Sequence, residues 1–200
     1  MVIIGITGGV GSGKSLVLNE LRENYHAYII EADKLAHTMM LPGNAIYNEI
    51  IDAFGKEILN DYAPYEIDRA KLGQIVFYDR EKLNILNGII HPCVKQEIQS
   101  QIQSVRENGT CSLFAIEAAL LIEDGYKRIC DEIWYVWVDR ETRILRLASQ
   151  RGYTREKCIS MMDSQSSDNF YLENADYILN NNGDIKSLSK QINARLNILL

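Results

Sequence analysis

The stretch VIIGITGGVGSGKS, residues 2–15, decides the fold. An apolar run at residues 2–7 leads into GGVGSGKS at residues 8–15, which matches the pattern GxxxxGK[ST] in full, and a helical pattern covers residues 14–23. A glycine-rich turn between a strand and a helix lets successive backbone N–H groups face a polyphosphate, and the helix N-terminus adds its partial positive charge. The sequence therefore predicts a phosphate-binding loop at its start.

The side chains of this loop point to a nucleoside triphosphate with Mg²⁺. Lys14 is expected to bridge the β- and γ-phosphates of ATP, and the Ser15 hydroxyl is expected to ligate Mg²⁺. The other loop residues expected to contact ATP are Gly9, Gly11, Ser12 and Gly13.

Four more short apolar runs indicate a parallel sheet. They lie at residues 27–30, 112–116, 133–138 and 177–179, with helical patterns at 91–108 and 141–150 and after residue 184. Most runs are continuously apolar, as in strands that helices cover on both faces. The alternation predicts a P-loop NTPase-type three-layer α/β/α fold with a five-stranded parallel sheet.

Residues 33–104 interrupt this alternation with helical patterns at 45–54, 69–76, 80–86 and from 91 onward. Turn residues at 42–43 and 60–64 separate them. We expect a single domain over residues 1–200, with its core at 1–32 and 109–200, a helical substrate-binding insertion at about 33–108 and a small helical lid at about 140–170.

Composition excludes several other classes of protein. The 200 residues carry a net charge of −6, which argues against a basic nucleic-acid-binding face. No apolar run approaches the ~18 residues of a membrane span, and the start lacks the pattern of a signal peptide. The four cysteines form no CxxC pair and are expected to be free thiols. We expect a cytoplasmic protein that is a monomer, with an oligomer as the alternative.

Two carboxylates follow predicted strands. Asp33 comes after the second strand, where it could accept the proton of a substrate hydroxyl or cap a helix starting at Lys34. Its position alone favours neither role. Glu117 ends the third strand and is a candidate to support Mg²⁺, with a helix cap or a surface position as alternatives.

Arginines cluster in residues 139–157, which suggests an anionic partner in a chain of negative net charge. Arg151, next to a predicted bend at Gly152, is expected to close over the transferred phosphoryl group. A solvated helix face is the expected setting of Arg143 and Arg155, with Glu141 and Glu156 as partners.

The chain resembles the dephospho-coenzyme A kinase family nearly from end to end. The resemblance rests on an ordered set of segments, which is more specific than the phosphate-binding loop alone. The segments are GITGGVGSGKS (5–15), IIEADKLAH (29–37), IDRAKLGQIVF (67–77), LNGIIHPCV (86–94), EAALLIEDGY (117–126), QRGYT (150–154) and ADYILNNNG (175–183).

The resemblance implies phosphorylation of the ribose 3′-hydroxyl of dephospho-CoA by ATP, with Asp33 as general base and the helical insertion holding dephospho-CoA. It implies catalytic roles for Lys14 and Arg151. Further ATP contacts implied are Leu16, Arg146 and Asn181, and further dephospho-CoA contacts implied are Thr7, Arg69, His91 and Leu120.

The chain departs from the family pattern at four places: Glu31, Ala119, Leu16 and the segment 166–172. This segment lacks the usual basic residue and contains Asp168, so Arg155 or Lys157 would have to compensate, or Tyr171 would stack on adenine. Two other functions stay open: a non-catalytic nucleotide- or CoA-binding protein, and a P-loop kinase of another small hydroxyl substrate.

Overall fold

The computed structural model describes the backbone of residues 1–200 and every side chain except that of Ala45. Two short 3₁₀ helices, Lys56–Ile58 and Tyr126–Arg128, accompany the main elements. In chain order the main elements are β1 (Val2–Thr7), α1 (Lys14–Tyr25), β2 (Tyr28–Glu31), α2 (Ala32–Met39), α3 (Ala45–Phe54), α4 (Arg69–Phe77), α5 (Arg80–Asn108), β3 (Leu113–Glu117), β4 (Glu132–Trp137), α6 (Arg140–Arg151), α7 (Arg155–Asp163), α8 (Asp168–Asn174), β5 (Tyr177–Asn180) and α9 (Ile185–Leu199).

The five strands form one parallel sheet in the order β2-β3-β1-β4-β5. β1 is central, with Ile4 opposite Ala115 of β3 and opposite Glu132 of β4. The central strands are apolar and buried along nearly their whole length, as parallel strands are when helices cover both faces. The predicted fold is confirmed, and each predicted strand differs from the observed one by at most one residue at either end.

The chain folds as two compact units. The first comprises residues 1–30 and 105–200 and contains the strand core. In it, Ile4, Ile6 and Trp134 of the sheet pack with Leu21 of α1 and Ile192 of α9, all of them buried. This packing holds the start of α1 against the carboxyl end of β1, where the glycine-rich loop lies.

The second unit, residues 31–104, is mainly helical. Its core joins Ile46 and Ile50 of α3, Ile58, Leu72 of α4 and Leu86 of α5. Beyond the last residue of β2, it also contains an isolated antiparallel bridge between Leu59 and Ile67.

The prediction of two helices at residues 80–86 and from 91 onward is wrong, because α5 runs unbroken from Arg80 to Asn108 with Pro92 inside it. A proline there removes one helical hydrogen bond and crowds the carbonyl of the residue four positions earlier, here Gly88. Ile89 and Cys93, on either side of Pro92, pack against the same core. This shared packing explains how the helix continues through the proline.

Two further observations bear on the class of protein. The four cysteines are free, as predicted, and Cys158 is buried. Among the helices of the described chain, none combines the length and the apolar character needed to cross a bilayer.

Candidate active site

The glycine-rich loop follows β1 and closes with a hydrogen bond from Ser12 N–H to Gly9 O at 3.1 Å. Gly13 has φ 87° and ψ 31°, a left-handed conformation that strongly favours glycine. A Cβ on Gly13 would lie 2.4 Å from Asn181 Nδ2. The loop therefore needs glycine at position 13 for its backbone conformation and for its close approach to the segment after β5.

Lys14 is held across this loop at the first position of α1. Its Nζ donates to Gly8 O at 2.8 Å and lies 3.5 Å from Glu117 Oε1. Glu117 ends β3, and its side chain is only 13% exposed, so the surface position considered for it is wrong. A carbonyl and a carboxylate thus fix the ammonium group beside the loop, where a phosphate could become its third partner.

Arg146 and Asn181, both expected to contact ATP, meet the loop from two other elements. Asn181 is buried and donates from Nδ2 to Ser12 O at 2.8 Å, and Arg146 Nη2 donates to Asn181 O at 2.7 Å. Ser12 Oγ and Arg146 Nη1 are buried without a hydrogen-bond partner among the described residues. Buried polar atoms usually have partners, so these two fit a polar ligand such as a triphosphate.

The other residues expected on the ATP side lie around the loop. Ser15 is exposed on the first turn of α1, and Leu16 beside it is 41% exposed. Arg151 is exposed at the last position of α6, before Gly152 in the left-handed conformation. Gly9 and Gly11 lie in the loop itself.

The fit of Mg²⁺ follows from the donor set. No group of three or more His, Cys, Asp or Glu side chains suited to a metal occurs in the described part of the chain. The exposed Ser15 hydroxyl at the start of α1 fits Mg²⁺ that arrives with ATP, because Mg²⁺ is commonly held by one or two protein oxygens together with substrate phosphates.

The expected solvated setting of Arg143 is wrong, because the residue is only 7% exposed. Its Nε donates to Val10 O at 2.9 Å, and its Nη2 donates to Gln165 Oε1 at 3.2 Å. The sequence around Arg143 does not indicate these two hydrogen bonds, because Val10 and Gln165 lie far from it along the chain. Arg155 does behave as predicted: it is exposed and forms two hydrogen bonds with Glu141, at 2.8 and 2.6 Å.

Asp168, the unexpected negative charge, has two partners. Its Oδ1 accepts a hydrogen bond from Tyr135 Oη at 2.8 Å and lies 3.7 Å from Arg143 Nη1. Burial and the hydrogen bond to Asp168 raise the pKa of Tyr135 far above its usual range, so this tyrosine stays a donor. Tyr171 is buried and stacks on Tyr135, with 4.9 Å between ring centroids. The suggested stacking of Tyr171 on adenine is therefore wrong.

The second unit has a cavity of about 380 Å³ with Asp33, His37 and Arg69 among its lining residues. Asp33 lies inside the first turn of α2, whose N-cap is Glu31, so its alternative role as a helix cap is wrong. His37 was not predicted as a site residue, although a position four residues after Asp33 on a helix indicates the same face. The other lining residues are Gly73 and the apolar Ala36, Met40, Leu72, Val76, Leu86 and Ile90.

Charges around this cavity act on His37. Burial and the nearby Arg69 guanidinium lower the pKa of His37, while the Asp33 carboxylate opposes them. His37 is therefore biased towards its neutral form at neutral pH, and Arg69 remains the cation of the cavity.

Three residues expected to contact the second substrate are not among the residues that line this cavity. His91 follows Ile90 on α5 and is half-buried, outside the cavity lining. Thr7 ends β1 with its hydroxyl buried and unpartnered within the described structure. Leu120 is 46% exposed on the turn after β3.

Comparisons with known proteins agree with this fold and loop. The family model described as dephospho-CoA kinase matches residues 2–187. The dephospho-CoA kinase of Carboxydothermus hydrogenoformans is 40% identical over 190 residues, covering 95% of this chain and 90% of that protein. The one of Dehalococcoides mccartyi is 38% identical over 190 residues, covering 94% and 93%. A crystal structure from Thermus thermophilus matches with a TM-score of 0.83 and 27% identity, covering 100% and 98%. This chain belongs to the dephospho-CoA kinase family.

Proposed function

We propose that this chain transfers the γ-phosphoryl group of ATP to the ribose 3′-hydroxyl of dephospho-CoA, giving ADP and CoA in the last step of coenzyme A biosynthesis. The observation that carries the proposal is the phosphate-binding loop, with Lys14 held between Gly8 O and Glu117, in a chain of this family. A reducing compartment such as the cytoplasm is supported by the free cysteines.

On the ATP side, the loop amides and the start of α1 would bind the β- and γ-phosphates. Lys14 would neutralise charge on the transferred group, with Arg151 closing over it. Arg146 and Asn181 would orient the nucleotide from beside Ser12, where their hydrogen bonds already hold them. Mg²⁺ held by Ser15 Oγ and the phosphates would supply further charge neutralisation.

On the acceptor side, Asp33 is the proposed general base for the ribose hydroxyl. Its carboxylate lines the cavity of the second unit together with Arg69, a cation suited to the diphosphate of dephospho-CoA. The apolar wall of the cavity suits the less polar parts of that substrate. His91, Thr7 and Leu120 remain proposed contacts that the family resemblance alone supports.

The test is an assay of purified protein with Mg·ATP and dephospho-CoA, following ADP by a coupled enzyme reaction and CoA by mass spectrometry. We expect one CoA formed per ADP. Reactions without acceptor, and with adenosine, 4′-phosphopantetheine or shikimate, measure background hydrolysis and acceptor choice. ADP formation at the acceptor-free rate would contradict the proposal. Bound ATP without turnover would favour the non-catalytic alternative, and faster transfer to another acceptor would favour a different kinase.

A further inference from the structure

We infer that Arg143 is a positioning residue of the phosphate-binding loop, which acts with Gln165 by holding the Val10 backbone from both its N–H and its carbonyl. Val10 N–H donates to Gln165 Oε1 at 2.9 Å, and Val10 O accepts from Arg143 Nε at 2.9 Å. Arg143 Nη2 closes the ring by donating to the same Gln165 oxygen at 3.2 Å. We call these three residues the Val10 clamp.

The clamp lies directly against the loop. A Cβ built on Gly9 would meet Arg143 Nη2 at 2.2 Å, so the guanidinium fills the space that any side chain at position 9 would need. A Cβ on Gly11 would lie 3.2 Å from the Arg143 backbone carbonyl. Arg143 therefore contacts the glycines on both sides of Val10 and restricts the part of the loop that precedes Lys14.

Arg143 is itself held in place. Asp168 Oδ1 lies 3.7 Å from Arg143 Nη1 and accepts the hydrogen bond of Tyr135. With Arg143 only 7% exposed, this carboxylate is the neighbouring anion that offsets part of its desolvation. The chain of contacts thus runs from the sheet, through Tyr135 and Asp168, to Arg143 and the loop.

A preorganised loop binds a polyphosphate more tightly, because less conformational freedom is lost on binding. The clamp should therefore act on ATP affinity and leave the affinity for the acceptor nearly unchanged. This inference rests on the proposed function only for the identity of the nucleotide. Its test measures binding directly, so a failure of phosphoryl transfer and a failure of the clamp give different results.

The experiment compares Arg143→Met, which removes all donors, with Arg143→Lys, which keeps the charge and at most part of the hydrogen bonding. Equilibrium binding of Mg·ATP is measured well below the melting temperature. We expect Arg143→Met to raise the Kd for ATP by about tenfold, which corresponds to about 1.4 kcal/mol of lost loop preorganisation. Arg143→Lys should give a smaller rise. The KM for ATP should follow the Kd, and the KM for dephospho-CoA should change less than twofold.

A second pair of variants covers the case in which Arg143→Met does not fold. Gln165→Leu removes the acceptor of the clamp, while Gln165→Glu keeps an acceptor for both Val10 N–H and Arg143. We expect the leucine to weaken ATP binding and the glutamate to restore most of it. Arg155→Gln is the matched arginine control, since Arg155 is exposed and forms its ion pair with Glu141, away from Val10 and Gln165.

Two results would overturn the inference. One is that the folded Arg143→Met protein binds ATP within twofold of the wild type while only its melting temperature falls. If Arg143→Met does not fold, the same result for Gln165→Leu would overturn the inference. The other is that the wild-type chain binds no ATP. Wild-type protein that binds ATP without phosphorylating dephospho-CoA would contradict the proposed function, and the binding series would still decide the clamp.

Discussion

Replacing Gly13 by alanine tests whether the loop geometry depends on its contact with the segment after β5. Gly13 has φ 87° and ψ 31°, and Gly125, before the Tyr126–Arg128 turn of helix, has φ 71° and ψ 32°. A Cβ on Gly13 would lie 2.4 Å from Asn181 Nδ2, while a Cβ on Gly125 would meet nothing within 4 Å. Gly125→Ala is therefore a matched control for backbone strain in the same unit.

The two substitutions share one cost and differ in another. Alanine in the left-handed conformation costs about 1–2 kcal/mol of folding free energy at either site. At position 13, Asn181 must also give up its hydrogen bond to Ser12 O, and because Asn181 is only 2% exposed, water does not readily replace that bond. A buried carbonyl left unpaired costs about 1–3 kcal/mol more. In a chain of this size, that difference corresponds to about 2–12 °C in melting temperature.

The assay is thermal unfolding of both variants and the wild type, with ATP binding measured on the folded proteins. We expect Gly13→Ala to melt below Gly125→Ala. It should also bind ATP more weakly, since the lost Asn181 bond holds Ser12 O in the phosphate-binding loop. Gly125→Ala should bind ATP as the wild type does. Equal melting temperatures for the two alanine variants, with equal ATP affinity, would refute the reasoning about Asn181.

Three further predictions concern catalysis and stability. Lys14→Met should bind ATP less tightly and lose most phosphoryl transfer, which the ADP assay measures; turnover near the wild-type rate would contradict its role. Asp33→Asn should keep ATP affinity and lose phosphoryl transfer, and an unchanged kcat would contradict the role of Asp33 as general base. Arg195→Leu should lower the unfolding free energy in urea by about 3 kcal/mol, because it leaves the largely buried Glu132 without its cation. The exposed Arg140, paired with Asp163, is the control, with about 0–1 kcal/mol expected for Arg140→Leu.

The fold could be predicted because its signals are local. The run at residues 2–7 is a strand that is buried on both faces, and the glycines that follow it permit the left-handed backbone of a tight turn before a helix. A small helical lid was expected at about 140–170, but its separate helices α7 and α8 were not delimited, since they are only 9 and 7 residues long. Their N-caps, Thr154 and Ser167, were the available signals, and both side chains accept a hydrogen bond from the third helical residue.

The site was predictable only in part, because its side chains have partners far away along the chain. The loop motif identifies Lys14, but nothing near position 14 indicates that Glu117, 103 residues later, lies 3.5 Å from its ammonium group. His37 was within reach of the sequence, since a residue one helical turn after Asp33 shares its face. Arg143 was not, because a solvated helix face was its expected setting, while its partner Val10 lies 133 residues away along the chain.

The departure at residues 166–172 has a different meaning once these contacts are known. Read along the sequence, Asp168 removes positive charge from a region expected to be basic. In the fold, Asp168 faces Arg143, and Gln165, just before this segment, binds both Arg143 and Val10. Arg143 of α6 therefore places a positive charge next to this segment and against the phosphate-binding loop. Arg155 is paired with Glu141 and Lys157 lies over the Tyr153 ring, and compensation by either of them stays a prediction. On this argument Asp168 supports ATP binding through Arg143, and Asp168→Asn should weaken ATP binding less than Arg143→Met does.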